Sequence, residues 1–360
     1  MSTVDRAQSL VPRDLRALST FDTGAPFGSP LRLHAFGPPE NLRYETADDP
    51  RPGPGQVRIA VGAAGVHLVD TIVRAGTYGG GPIPAPELPT IPGREVAGTV
   101  DALGAGADPY WLGRRVVAHL GAVPGGYAES AATDTGRLHE VPDGLGLPEA
   151  IAMIGTGRTA LGILHLAELT PGDTVVVLAA AGGIGTLVVQ HARHLGATVV
   201  GAAGGPAKTE RVRALGADLA VDYARDGWAA QVRRFLGARR PAGVVLDGVG
   251  GALARDAFGL LRPGGRHLIF GWSSTPGQPT VFAESELTAR GVEAEIVVGP
   301  ALQRFLGTPE RLRAVEAQAL AAAAAGRLVP AVQTFPLADA AAAHAALEAR
   351  ATMGKVVLLP

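Results

Sequence analysis

From Leu31 to about Pro148, apolar residues come in short runs broken by Gly and Pro: VRIAVGAAGV, VAGTVDAL and RRVVAHL. Runs this short, bounded by turn residues, predict strands joined by turns and so an irregular β-rich unit. The stretch GGGPIPAPELPTIPG, residues 79–93, holds too much Pro and Gly for a helix and predicts a loop. The pattern changes after about Leu147. TVVVLAA (174–180) is an apolar, β-branched run of the kind buried inside a parallel sheet. Beyond a glycine turn, Ile184, Leu187, Val188, His191 and Ala192 mark one face of a helix. Then strands and helices alternate: ATVVGAA, a helix over 207–215, ADLAVDY, a helix over 226–236, AGVVLDG, a helix over 251–261, and GRHLIFGW. That alternation predicts a doubly wound α/β sheet. RLRAVEAQALAAAAAGRL and PLADAAAAHAALEAR read as late helices, and KVVLLP as a last strand.

Length and composition narrow the class. A chain of 360 residues exceeds what one core usually serves, so two domains are expected. Hydrophobic residues at 47% and charged residues at 18% fit a folded globular protein. A net charge of −1 suggests neither a nucleic-acid partner nor an acidic membrane surface. No apolar run is read as reaching the roughly 20 residues needed to span a bilayer. Residues 1–28 read as a polar arm, able to hold a short amphipathic helix, without the apolar core of a secretory signal. The expected location is cytoplasmic. With no cysteine, the chain can form no disulfide, thiolate nucleophile or cysteine-held metal site. Among 32 basic residues only Lys208 and Lys355 are lysines, which makes each of them informative.

The turn after TVVVL reads A-A-A-G-G-I-G, Ala179 to Gly185. Against the dinucleotide fingerprint G-x-G-x-x-G, Ala180 holds the first glycine place and Gly182 and Gly185 the others, with Gly183 and Ile184 between them. Such a turn lets the backbone and a helix N-terminus approach a pyrophosphate. The second strand would end near Ala203, where NAD sites place an acid for the ribose hydroxyl. No acid stands there. Lys208 and Arg211 open the next helix and could meet a 2′-phosphate, which points to NADPH.

Seven runs carry a family resemblance: AAGVHLVDTIVRAGTY (63–78), IPGREVAGTVDALG (91–104), GGYAES (125–130), TGRTALGIL (156–164), VLAAAGGIGTLVVQHARHLGA (177–197), VVLDGVGG (244–251) and MGKVVLLP (353–360). In this order they resemble the medium-chain dehydrogenase/reductase superfamily, and within it the zinc-independent quinone oxidoreductase branch. The resemblance implies a GroES-like β-barrel catalytic domain over 29–150 and 300–360. It also implies a Rossmann NADP-binding domain over 151–299, and a homodimer, for which VEAEIVVG (292–299) is a candidate edge strand. The zinc-dependent members hold their catalytic ion at three places, which here carry His67, Arg94 and Thr156. Arginine cannot ligate zinc, so no metal is expected.

The resemblance also assigns a site. Tyr78 would face the substrate carbonyl, and His67 stands where the branch commonly has Asn in G-V-N-x-x-D, with Asp70 kept. Two readings of His67 stand: a proton or hydrogen-bond donor, or a packing residue. Thr159 would face the nicotinamide carboxamide. Lys208 and Tyr223 would surround the 2′-phosphate. Val249, Phe270 and Gly271 would line the groove, with Trp272 shaping the pocket or its rim, and Lys355 would lie near the cofactor or pair at the domain junction. The implied activity is hydride transfer from NADPH to a quinone or α,β-unsaturated carbonyl compound. One alternative is an enoyl-thioester or tailoring reductase, with Arg94, Arg114 and Arg115 as a basic patch for a carrier-bound substrate. Another is a non-catalytic NADPH-binding sensor or structural protein.

Overall fold

The computed structural model describes residues 29–77, 85–121, 124–237, 241–275 and 278–360. The expected N-terminal arm and Tyr78 lie outside them. Strands β1 (Leu31–Leu33) and β2 (Leu42–Tyr44) form a small antiparallel pair. Next come β3 (Gln56–Val66), α1 (Leu68–Ala75), β4 (Glu95–Leu103), β5 (Arg115–His119), β6 (Ser130–Asp134) and β7 (Leu138–Glu140). Side chains along β3 alternate between buried and outward-facing before its last four residues are all buried. The short run VRIAVGAAGV is thus a strand, half-buried along most of its length. These strands join a seven-stranded sheet of order β14-β15-β3-β4-β5-β7, with β6 paired on β3. Its last members come from far along the chain: β14 (Val332–Pro336) and β15 (Lys355–Leu359).

A helical run follows β7: α2 (Leu147–Ile151), a π-helical turn at Ala152–Gly157, and α3 (Arg158–Ala167). The expectation of no long apolar segment needs correcting here. Leu147–Ala167 spans 21 residues and is apolar enough to cross a bilayer by composition. Its most apolar window is 72% buried inside the protein, as in the core helix of a folded domain.

The second sheet is wholly parallel. It contains β8 (Thr174–Leu178), β9 (Thr198–Ala203), β10 (Leu219–Asp222), β11 (Ala242–Asp247), β12 (Leu261–Ile269) and β13 (Glu293–Ile296), in the order β10-β9-β8-β11-β12-β13. Every residue of β8 and β11 is buried, which explains their continuous apolar runs. The crossovers carry α4 (Gly183–Leu195), α5 (Pro206–Ala214), α6 (Trp228–Leu236), α7 (Gly251–Phe258) and α8 (Glu284–Arg290). Helices α9 (Leu302–Leu306), α10 (Pro309–Ala324) and α11 (Ala340–Glu348) return the chain to the first sheet. Strand order reverses between β8 and β11, and ligands of doubly wound sheets bind at such a switch point.

Candidate active site

The glycine turn lies at that switch point. The first helical hydrogen bond of α4 runs from Thr186 N–H to Gly182 O at 2.9 Å. The amides of Gly183, Ile184 and Gly185 come before it, and their N–H groups face the helix N-terminus. Gly185 is needed for space, since a Cβ there would overlap Ala179 O and crowd the backbone of Ala180. Ala180 itself is fully buried, so a side chain at the first glycine place turns into the core rather than toward the turn's open face. The arrangement has the form that a pyrophosphate needs.

Around the end of β9, Lys208 Nζ donates to Arg350 O at 2.5 Å, and Tyr223 lies beside Gly204, where a Cβ would sit 3.1 Å from its ring. Arg350 has a left-handed backbone, φ 54°, and donates to Ser273 O at 2.8 Å. Burial and then the charge of Arg350 lower Lys208 from its ordinary value. Burial raises the Tyr223 hydroxyl, and Arg350 opposes that rise. Among the described residues neither Lys208 nor Arg350 has an acidic partner. The two charges are near enough for one to depress the other, and cations in that state fit a phosphate. Asp222 Oδ1 accepts from the amides of Gly205 and Ala224 at 2.8 and 3.0 Å, which fixes its carboxylate against the start of α5. Arg211 is exposed on α5, one turn from Lys208. Arg350 had no local signal in the sequence. It arrives from the end of α11, more than a hundred residues from the cation it joins.

Val249, Phe270 and Gly271 stand at the ends of β11 and β12. Asp247 Oδ1 accepts from the amides of Val249 and Gly250 at 2.7 and 3.0 Å and so shapes that edge, while its Oδ2 contacts His267 at 3.1 Å. Gly271 runs against Gly248, so closely that a Cβ would lie 2.9 Å from Gly248 O. Trp272 is partly buried against the sheet's core beside Gly250. Thr159 Oγ1 donates to Gly155 O at 2.8 Å, within its own helical run.

Below the glycine turn lies a buried ionic cluster. Gly354 N donates to Ala181 O at 2.8 Å and forms a parallel bridge with Gly182, which ties the start of β15 to the turn. One residue on, Lys355 is 4% exposed, and its Nζ is 2.7 Å from Glu95 Oε2 and 3.0 Å from His67 Nε2. The Lys355 ammonium thus pairs at the junction of β15 with the barrel, against Glu95 and His67. Glu95 Oε1 is 2.7 Å from His67 Nε2. Burial alone would raise the Glu95 carboxyl, yet His67 and Lys355 against its two oxygens hold it well below the usual carboxylate range. His119 faces Glu95 across β4 and β5. Burial and the charge of Arg158 push His119 down to about 3, so it is neutral. Asp70 caps α1 by accepting from His67 N–H at 2.8 Å, and its carboxylate also meets Tyr127 Oη at 3.2 Å and Arg94 at 3.4 Å.

The three arginines of the carrier-patch alternative do not meet. Arg94 lies at the Glu95 end of β4 and pairs with Asp70, while Arg115 pairs with Thr99 four residues up the same ladder. At about 3.4 Å per residue, the five steps from Arg94 to Thr99 span roughly 17 Å. Arg114 lies over the Tyr110 ring, 4.3 Å from its centroid, and Arg115 donates to Leu145 O at 2.9 Å. Among the described residues no group of three His, Cys, Asp or Glu side chains could hold a metal ion.

A parallel sheet of this order, with a glycine turn at its switch point closed by a strand of a GroES-like barrel, defines an oxidoreductase that uses a nicotinamide cofactor. Residues 53–143 match the model of the alcohol dehydrogenase GroES-like domain, and residues 183–312 match that of the zinc-binding dehydrogenases. A 2-haloacrylate reductase from a Burkholderia species is 34% identical over 332 residues, covering 91% of this chain and 98% of that protein. A quinone oxidoreductase of Pseudomonas aeruginosa is 33% identical, covering 92% and 99%. The crystal structure of Escherichia coli quinone oxidoreductase complexed with NADPH superposes with a TM-score of 0.81 at 28% identity, covering 92% of this chain and 100% of that one. The chain belongs to the quinone oxidoreductase branch of the medium-chain dehydrogenase/reductase superfamily.

Proposed function

We propose that this enzyme uses NADPH to reduce small conjugated carbonyl compounds, quinones or α,β-unsaturated acceptors, without a metal ion. The observation that carries the reading is the Lys208–Arg350 pair beside Tyr223, two cations with no ion-pair partner among the described residues, where a ribose 2′-phosphate would lie. The NADPH complex of the Escherichia coli relative supports it. Quinones and 2-haloacrylates, named for two relatives, share a carbon–carbon double bond conjugated to a carbonyl group. The metal-free reading is supported by Arg94 and Thr156 at two of the three zinc places and by the Lys355 ammonium 3.0 Å from His67 Nε2, a position hostile to a cation.

The cofactor's reduced nicotinamide ring supplies a hydride. The chain's residues hold, orient and protonate. Gly182 to Gly185 and the N-terminus of α4 receive the pyrophosphate, and Lys208 and Arg350 the 2′-phosphate. Val249, Phe270 and Gly271 form the groove wall, and Thr159 lies near the carboxamide. Negative charge develops on the acceptor's carbonyl oxygen, and His67, with Tyr78, stabilises and protonates it. We also propose a homodimer joined through β13, which is the edge of its sheet and exposes 37% of Ile296.

The test follows loss of reduced-nicotinamide absorbance with NADPH and with NADH against a panel of quinones, enones and 2-haloacrylates. Turnover of at least one conjugated acceptor, favouring NADPH, is expected. A panel without turnover would sink the proposal.

A further inference from the structure

Nε2 of His67 lies between two groups of opposite need. Glu95 Oε1, at 2.7 Å, can only accept a hydrogen as a carboxylate. Lys355 Nζ, at 3.0 Å, can only donate one as an ammonium. The ring therefore has a partner in either neutral tautomer. With the proton on Nδ1, Nε2 accepts from Lys355; with the proton on Nε2, it faces Glu95 Oε1, a buried oxygen that no hydrogen bond satisfies among the described residues. The Lys355 and Glu95 side chains are 4% and 0% exposed, while that of His67 is 26% exposed, so the ring alone reaches outward. Imidazole geometry turns Nδ1 away from a pair held at Nε2. The cluster is also given room. A Cβ on Gly65 would overlap Glu95 Oε2, and one on Gly155 would overlap Oε1. The surrounding charges are accounted for: Arg94 faces Asp70, Arg158 faces Glu316 at 2.7 Å, and His119 is neutral.

We propose that His67, Glu95 and Lys355 form a relay that switches the His67 tautomer and delivers a proton to the acceptor's carbonyl oxygen. The proposal rests on the reductase reading above. At rest Lys355 donates to Nε2 and His67 carries its hydrogen on Nδ1. When the acceptor carbon gains the hydride, the electron pair moves to its carbonyl oxygen, which takes the Nδ1 proton. An Nε2–H bond forms as an Nζ–H bond of Lys355 breaks. His67 ends as the Nε2–H tautomer donating to Glu95, and Lys355 ends as a neutral amine. The nicotinamide loses two electrons, the acceptor gains hydride and proton, and water returns one proton to Lys355 after product release. Glu95 remains a carboxylate throughout. It and Lys355 act through His67 and are positioning residues.

The first test needs no turnover. Nitrogen NMR of the full chain, labelled in histidine, reads the tautomer. The Nδ1–H form is expected for His67 in the parent, with the proton moved to Nε2 in Lys355→Met. A parent in the neutral Nε2–H form, or a tautomer unmoved by Lys355→Met, would overturn the relay. The parent spectrum keeps the test decisive should the variant fail to fold. The second test uses any conjugated acceptor the parent reduces. Lys355→Met should lower kcat about 10²- to 10⁴-fold, the usual worth of a positioned proton donor, with NADPH affinity changed by less than about twofold. The solvent deuterium effect on kcat should rise and the effect of deuterated NADPH should fall, which a merely structural residue would not bring about. Unchanged isotope effects count against the relay. Failure of the reductase reading shows elsewhere, in a parent that turns over no acceptor at all.

Discussion

Gly155 and Glu95 share a space that no methyl group could enter, because a Cβ on Gly155 would overlap Glu95 Oε1. The glycine lies in the π-helical turn at Ala152–Gly157, and such turns are frequent at functional sites. Gly155→Ala must displace either that turn or the carboxylate that holds His67 and Lys355. A cost of about 1–3 kcal/mol is expected from the overpacking, read as a lower urea midpoint at unchanged slope. Turnover should fall further than stability explains. Gly136, with open space around its Cβ position, is the control, and Gly136→Ala should stay within about 0.5 kcal/mol. Equal effects at the two glycines would refute the steric account.

Cofactor choice should follow Lys208 and Arg350 separately. A hydrogen bond to a charged group contributes about 1.5–3 kcal/mol, or roughly ten- to a hundredfold in affinity. Lys208→Ala and Arg350→Ala should each weaken NADPH by that factor and leave NADH nearly unchanged, in dissociation constants measured at one salt concentration. Either variant weakening both cofactors equally would remove it from the phosphate site.

Acid should destabilise the fold through two buried imidazoles. Burial and the charge of Arg158 push His119 down to about 3, and burial pushes His344, fully enclosed against Tyr127, down to about 4. An unfolded histidine binds its proton near pH 6.5, so between that value and about 4 the unfolded chain holds protons that the folded chain refuses. Stability is therefore complete above about pH 6.5 and lost as pH falls below it, at up to about 1.4 kcal/mol per pH unit for each histidine. Urea unfolding at pH 7, 6 and 5 should show that slope, and His344→Gln should reduce it by about one proton. A flat profile would mean that both rings are charged in the fold.

Self-association should depend on β13. Ile296→Lys puts a charge on the exposed apolar residue of an edge strand. Light scattering should give a dimer for the parent and a monomer for the variant, and a monomeric parent would refute the proposed interface.

Chelators should leave activity intact, and elemental analysis should find no stoichiometric zinc. A zinc content near one per chain that tracks activity would overturn the metal-free proposal.

Much of this fold is written in local pattern. TVVVL and AGVVLD are apolar because parallel strands covered on both faces have no solvent side, and KVVLL likewise announced β15. The glycine turn was legible because its chemistry is set within seven residues. Lys208 and Lys355 stood out because lysine is rare in this chain. The rest of the site is long-range. Arg350 reaches Lys208 only through the packing of α11, and nothing around it in the sequence marks a cation site. Glu95 could be read as the residue after Pro-Gly-Arg, but its role depends on β15 arriving beside β4. The π-helical turn had no signature in AMIGTG, whose Gly155 meets Glu95 only once β4 is in place. The arginines named for a basic patch do not gather, because Arg94 and Arg115 stand at separate points of an extended ladder.

The contact between His67 and Lys355 joins residues 288 positions apart. Contacts that distant close large loops, and proteins that depend on them fold slowly. The pairings of β8 with β9 and of β9 with β10 close far shorter loops than that of β15 with β3. In a refolding experiment, helical circular dichroism should return first and enzymatic activity last. The moment at which activity appears marks the arrival of β15, which makes turnover a clock for the final step of folding.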